Sequence, residues 1–324
     1  MSNKDKVACA SAKNTELLKA RQGYPLKAKV MLTNERIIEW YEHFEGGVYI
    51  SFSGGKDSTA LLHLVRSIYP DVPAVFFDTG LEFPEIREFV KTIDNVEWIK
   101  PKLNFKETLN KYGFPVVSKE VSQKISEIRT TKSEKLLNIR LHGNDKGHGK
   151  VPEKWKYLAD APFDISNKCC DTFKKNPAKG YEKRTGRKAF IGTMASESSG
   201  RLTSYLTHGC NSFSENRPVS MPMSFWLESD VWDYIKLHDL PYAKVYDMGY
   251  DRTGCMFCMF GVHLEKGENR FQRMAVTHPK QHSYCMDKLG LRDVLAYVGV
   301  TEVDAIDKSD KPEFKGIKII VDTK

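Results

Sequence analysis

Val48-Tyr-Ile-Ser-Phe-Ser-Gly-Gly-Lys-Asp-Ser-Thr59 decides the fold. Val48 to Phe52 is a short apolar, β-rich run of the kind buried on both faces of a parallel sheet. Ala60, Leu61, Leu62, Leu64, Val65 and Ile68 then recur at helical spacing up to Pro70. Between strand and helix, Gly54 and Gly55 let the backbone turn sharply and bring N–H groups close to an anion. The helix start adds about half a positive charge, and Lys56 adds a whole one. Ser53, Ser58 and Thr59 supply hydroxyl donors, and Asp57 can cap the helix or orient the lysine. The spacing fits neither a Walker loop nor a Gly-x-Gly-x-x-Gly dinucleotide fingerprint. An ordinary glycine turn is the plainer alternative, but six consecutive residues suit an anion.

The alternation continues outward. Ala74–Phe77, Val96–Ile99 and Lys188–Thr193 read as strands; Pro84–Thr92, Phe105–Tyr112 and Ser229–His238 read as helices, with an earlier helix from about Thr33 to Phe44. Strand, helix, strand at this spacing implies right-handed βαβ units: an α/β, doubly wound, mostly parallel sheet with a less regular, cysteine-containing C-terminal region. Residues 1–45 are an irregular or loosely helical lead-in followed by that helix. Residues 46–262 form the nucleotide-binding domain, and 263–324 a C-terminal extension. Lys119–Arg140 reads as one long charged helix within a basic helical insertion spanning 119–157.

Composition sets the outer bounds. The 324 residues are 40% hydrophobic and 28% charged, with 22 Gly and 14 Pro, which favours a globular protein over a disordered or fibrous one. The absence of any apolar run of about twenty residues, and of a secretion signal at the start, leads us to expect a cytoplasmic protein with no membrane association. Residues 119–157 hold ten Lys or Arg against five acids, much of the net charge of +8. Such a run can face a polyanion, although it is usually a solvated helix face.

Seven cysteines include the adjacent pair Cys169-Cys170 and the spaced pair Cys255-x-x-Cys258. Four thiolates from two places suit a metal centre better than structural disulfides if the backbone splays the adjacent pair. Tetrahedral zinc is the simpler reading, although a zinc ribbon normally uses two Cys-x-x-Cys knuckles.

The Ser53–Ser58 loop resembles that of the ATP pyrophosphatase superfamily, the adenine nucleotide α-hydrolases, whose members cut ATP between its α and β phosphates. Further segments resemble the phosphoadenosine phosphosulfate reductase branch: Phe76-Phe-Asp-Thr-Gly-Leu-Glu-Phe-Pro-Glu85, Trp226, Asp230-Val-Trp232, His238-Asp-Leu-Pro-Tyr242, Tyr246-Asp-Met-Gly-Tyr250 and Gly254-Cys255. The resemblance covers residues 47 to 262. It implies an adenine nucleotide held by Ser53, Gly54, Gly55, Lys56, Asp57, Ser58, Thr59, Asp78, Thr79, Gly80, Gly192, Thr193, Ser198 and Arg201. Asp78 and Glu82 are candidates for Mg2+, although acids at strand ends and helix starts commonly have only local roles. Lys168-Cys169-Cys170 with Gly254-Cys-x-x-Cys258 resembles the ligand set of a 4Fe-4S cluster in sulfonucleotide reductases, with zinc as the alternative. Cys210 is a candidate persulfide carrier or replacement cluster ligand; Cys9 and Cys285 have no assigned role.

Two departures bear on the reaction. Where those reductases carry Gly-Leu-Arg-Arg, this chain reads Gly192-Thr-Met-Ala195, so two fixed positive charges that strengthen anion contacts are missing. The reductases also finish with a Lys-x-Glu-Cys-Gly-x-His tail, whereas this chain finishes Lys318-Ile-Ile-Val-Asp-Thr-Lys324, with no cysteine after Cys285. The remaining parts resemble enzymes of DNA phosphorothioation and tRNA thiolation. The expectation is ATP-dependent adenylation and sulfur transfer, with Lys56, Asp57, Arg201 and Cys210 as catalytic candidates. A cysteine desulfurase would donate the sulfur, tRNA or DNA would meet the 119–157 segment, and the protein would form a homodimer. A sulfite-releasing sulfonucleotide reductase and a non-catalytic nucleotide sensor are the competing readings.

Overall fold

A computed structural model describes residues 14–214 and 217–300. Cys9 and the terminal segment Lys318–Lys324 lie outside them.

The chain divides into two compact units, each assembled from separate stretches. The first comprises Met1–Asp78, Glu82–Lys100 and Pro177–Thr253. Its described part opens with helix α1 (14–22) and α2 (Leu26–His43). The first described residues are therefore more regular than expected, and α2 begins directly after Pro25 rather than at Thr33. Pro suits that boundary because a proline adopts extended backbone readily and cannot donate into a preceding turn.

The alternation then proceeds through β1 (Val48–Ser51), α3 (Lys56–Ile68), β2 (Ala74–Phe77), α4 (Pro84–Lys91) and β3 (Val96–Ile99). A long excursion into the second unit then carries α5 (Phe105–Tyr112), α6 (Lys119–Thr130) and α7 (Glu134–His142), and the chain returns to the first unit in α8 (Asn176–Thr185), whose first residue is the last of the excursion. The first unit continues through β4 (Lys188–Ile191), α9 (Ser199–His208), β5 (Asn211–Ser212), β6 (Val219–Ser220) and α10 (Glu228–Leu237).

The six strands form one sheet in the order β3-β2-β1-β4-β6-β5. All neighbouring pairs are parallel except β5 with β6. This is the expected doubly wound, mostly parallel sheet. The chain winds outward from β1 in one direction and from β4 in the other, so those adjacent strands mark the topological switch point. Ligands of open α/β sheets bind beyond the carboxyl ends of strands at that point. Register Ser51↔Ile191 brings the loops after both strands to the same edge.

Burial explains why the strands read as apolar runs: Val48, Ile50, Ala74, Val75 and Phe190 are all inaccessible to solvent. A polar latch lies on one flank of this core. Buried Lys29 of α2 donates to Asp230 of α10 at 2.5 Å, and Asp230 also accepts the backbone N–H of Leu227 at 2.6 Å.

The second unit comprises Thr79–Leu81, Pro101–Asn176 and Gly254–Lys324. Here the long helix expected over Lys119–Arg140 is two helices. The break falls at Thr131-Lys132-Ser133, where the Ser133 hydroxyl accepts the Leu136 N–H at 3.3 Å and caps a new start. Serine competes for backbone hydrogen bonds within a helix and is favoured at its N-cap. Helix α7 buries none of its residues.

Candidate functional site

The loop after β1 is built as its composition demands. Gly54 has φ +72°, and a Cβ there would stand 2.7 Å from Val90 and 2.9 Å from Ile86 of α4. Only glycine meets both constraints at low cost. A Cβ on Gly192 would stand 2.9 Å from the Asp57 carbonyl oxygen, so the end of β4 packs directly against the loop backbone. The Ser58 hydroxyl donates to the Gly55 carbonyl at 2.9 Å and lies 3.1 Å from the Ser53 hydroxyl, while Thr59 also bonds Gly55. These hydroxyls brace the turn.

Lys56 is 4% exposed, and its partners come from distant parts of the same unit. Its ammonium lies 3.0 Å from the Glu228 carboxylate, 4.0 Å from Asp57, and 2.9 Å from the Asp251 carbonyl oxygen. Its backbone N–H donates to the Tyr246 hydroxyl at 2.8 Å, and its ammonium stands 5.5 Å from that ring's centre. Burial alone lowers its pKa, but Asp57, Glu228 and Tyr246 outweigh burial and hold it above the ordinary lysine value. Asp57 moves upward too, chiefly through burial. Lys56 opposes that shift, Glu197 and Glu228 reinforce it, and Arg201 opposes it. Arg201 forms an ion pair with Glu197, and Ser198 caps α9 by accepting the Arg201 N–H at 3.3 Å. Thr193 donates its own N–H to Ile191 at 3.0 Å.

The structure thus brings together Ser53, Gly54, Gly55, Lys56, Asp57, Ser58, Thr59, Gly192 and Arg201. It adds Glu197, Glu228, Tyr246, Asp251 and Thr253, whose hydroxyl lies 3.2 Å from that of Tyr246; the sequence did not single these out for the loop. Tyr246 lies within a segment that resembles the family, but nothing local signals that its hydroxyl reaches an amide 190 positions away. Asp78, at the end of β2, is buried and paired with Arg87 of α4 at 3.0 Å, so a guanidinium occupies the carboxylate proposed for Mg2+. Glu82 is half-buried just before α4. In the second unit, buried Thr79 accepts the Leu81 N–H at 3.1 Å, and Gly80 has φ +74°.

The four paired cysteines do meet. Cys169, Cys170, Cys255 and Cys258 line one cavity of about 30 Å³ whose walls include Leu81, Phe105, Pro115, Phe173, Lys174 and Phe257. Cys169 and Cys170 begin a helix that widens into a π-helical turn over Asp171–Lys175, a geometry frequent at functional sites. Cys255 and Cys258 are joined across a turn by a 3.1 Å backbone hydrogen bond. The adjacent thiols are hydrogen-bonded to each other, which raises the pKa of Cys169 and lowers that of Cys170 to about 6, the latter against burial and with Lys119 and Lys174 assisting.

Four thiols with apolar walls and two nearby ammonium groups fit a thiolate-ligated cluster, whose negative charge the lysines offset. Among the described residues, no three His, Cys, Asp or Glu side chains are grouped to hold a single ion.

Cys210 is not among the residues lining this cavity. It immediately precedes β5, 5% exposed, and burial raises its pKa to about 11, which disfavours the thiolate that persulfide chemistry requires. Cys285 is fully buried, and none of the six described cysteines is disulfide-bonded.

The switch-point loop and its sheet define an α/β protein of nucleotide-binding architecture. A family model, the phosphoadenosine phosphosulfate reductase domain, matches residues 47–134 and 117–260, and the chain belongs to that family, whose members are enzymes. It is 27% identical over 230 residues to an adenosine 5'-phosphosulfate reductase of Staphylococcus haemolyticus, covering 68% of this chain and 74% of that protein. A Bacillus cereus protein of the same name is 27% identical over 241 residues, covering 74% of this chain and 84% of its own. An uncharacterized Methanocaldococcus jannaschii protein is 27% identical over 311 residues, which span 92% of this chain but 61% of that one. Among solved structures, phosphoadenylyl-sulfate reductase from Candida auris, as a phosphate complex, aligns with a TM-score of 0.41 at 17% identity, covering 75% of this chain and 93% of that one. The U34-tRNA thiolase NcsA from Methanococcus maripaludis, with its 4Fe-4S cluster, aligns at 0.36 and 13%, covering 88% and 86%.

Proposed function

We propose that the chain is an ATP-dependent sulfur-transfer enzyme. The observation that carries this reading is the charge around Lys56. Two cations, Lys56 and Arg201, share the loop's surroundings with three acids, Asp57, Glu197 and Glu228. Met194 and Ala195, where the sulfonucleotide reductases carry an arginine pair, are both 3% exposed and apolar. A site for a bare phosphosulfate needs surplus positive charge. This arrangement suits an anion that arrives with its own divalent cation, as MgATP does.

In the proposed reaction an acceptor oxygen attacks the α-phosphorus, the bond to the β-phosphate oxygen breaks, and pyrophosphate leaves. Lys56 and the loop amides stabilise its charge, and Arg201 assists after parting from Glu197. Sulfur from a desulfurase-derived persulfide then displaces AMP, and a thiol reductant releases the sulfur as the transferred atom. A cluster held by Cys169, Cys170, Cys255 and Cys258 would supply a binding place for that sulfur. Cys210 has no part in this scheme.

The 27% identity to proteins named adenosine 5'-phosphosulfate reductase favours a second reading, sulfite release from a phosphosulfate. Anaerobically iron-loaded protein should form AMP and pyrophosphate from MgATP when supplied with an acceptor, cysteine, a desulfurase and a thiol. Lys56→Ala should reduce the rate by about 10²–10³-fold, the usual cost of an anion-stabilising donor. Sulfite release from phosphosulfate, with no AMP from ATP, would replace our reading with the second.

A further inference from the structure

The 119–157 segment does not present all its charge to solvent. Lys124 pairs with Glu120 at 2.5 Å, Arg140 with Glu127 at 2.5 Å, and Lys156 with Glu153 at 2.8 Å. Arg129 is an internal strut, donating to the carbonyls of Ala159 and Phe163 at 2.8 and 2.6 Å and also to Ala161. Lys146, Lys150 and Lys154 are exposed. They converge in sequence on aromatic residues. The 3-10 helix Glu153–Asp160 carries Trp155 and Tyr157, whose ring centres are 6.2 Å apart. Tyr157 stands 5.7 Å from Tyr297, and Trp155 stands 5.1 Å from His263. The Lys154 ammonium lies 5.3 Å from the Trp155 ring centre. Tyr157 is 40% exposed, while Trp155 and Tyr297 are half-buried. The second unit thus carries a row of partly open rings with the Lys154 ammonium beside one of them and exposed Lys146 and Lys150 shortly before it in the chain.

We infer that this row is a binding surface for single-stranded nucleic acid, with bases stacking on Trp155 and Tyr157 and phosphates meeting Lys146, Lys150 and Lys154. Every base has a face that can stack on an aromatic ring, and a basic border follows the backbone. Lysine is depleted at protein–protein interfaces, so its density here favours a polyanion over a protein partner. A regular duplex keeps its bases stacked on each other, which selects loops, ends or single strands. The inference rests on the proposed sulfur transfer only in naming the acceptor class; the surface is tested separately from the chemistry.

The test is a fluorescence-anisotropy titration of full-length protein with labelled single-stranded RNA, single-stranded DNA and a duplex of matched sequence, at several salt concentrations. We expect single strands to bind more tightly than duplex and to weaken as salt rises, with quenching of Trp155 fluorescence. Trp155→Ala should weaken binding about tenfold, within the range for one stacked base, while Trp155→Phe retains most of it. Lys154→Ala should reduce the salt slope by about 0.7, the loss of one single-strand phosphate contact. The stronger of the RNA and DNA arms identifies the polymer. Duplex preference, no binding at low salt, or Trp155→Ala binding like the parent would overturn the surface. AMP formation without Trp155-dependent binding would leave sulfur transfer standing and remove only this inference, whereas Trp155-dependent binding without AMP formation would do the reverse.

Discussion

Asp57 stands beside the one fully charged donor of the loop, so its protonation changes what the loop attracts. Its pKa is raised chiefly by burial, with Glu197 and Glu228 adding to the effect against Lys56 and Arg201. Below that raised value the carboxyl is neutral and the site one unit more positive. The folded state also binds the proton more tightly than the unfolded chain, so this group's contribution to stability grows as pH falls between its unfolded and folded pKa values. Sulfate keeps its charge over that interval and serves as the probe. Its affinity, measured by calorimetry, should rise as pH falls through a range above the ordinary aspartate value, and Asp57→Asn should flatten the profile. A parent profile as flat as the variant's would remove Asp57 from the anion's surroundings. The loop glycines, serines and lysine were legible because each acts within a few positions of its neighbours. Glu228, Tyr246 and Asp251, which meet Lys56, and Glu197, which acts on Asp57, were not, because these meetings depend on the whole sheet being folded.

Among elements, strands β1 to β3 were legible because a buried parallel strand advertises itself as a short apolar run between turn residues. The short edge pair β5 and β6 carries two residues per strand, too few for any period to develop. The α6–α7 break was hidden by a run of charged and polar residues that suits a helix surface on either side of Ser133. Asp230 illustrates a different difficulty. It belongs to a segment with a family resemblance, yet it acts as the partner of buried Lys29 and as a cap for α10. Removing one member of such a pair leaves the other buried and uncompensated, at a cost of about 3–5 kcal/mol. Lys29→Ala should therefore lower the urea midpoint substantially without changing the m-value. A midpoint close to that of the parent would mean that Asp230 finds other compensation.

At the scale of the molecule, the two units divide the chemistry: the first carries the switch-point loop, and the second the four thiols. None of the described helices is long and apolar enough to cross a membrane. Cys258→Ser removes one of the four thiols lining the cavity and should lower bound iron and sulfide, measured after anaerobic loading, along with absorption near 400 nm. Cys210→Ser should leave both unchanged, since Cys210 is absent from that lining. Equal metal content in Cys258→Ser and the parent would detach the cavity from iron.

The Tyr246 hydroxyl and Asp251 carbonyl already hold the Lys56 amide and ammonium. An incoming anion therefore competes with the chain's own oxygens, and its observed affinity is the difference between two sets of hydrogen bonds. Tyr246→Phe removes one competitor while keeping the ring. If the new anion contact only replaces the old one, the variant should bind sulfate several-fold more tightly, about 1 kcal/mol for one hydrogen bond no longer exchanged. Weaker binding would mean that the hydroxyl turns toward the anion and serves it.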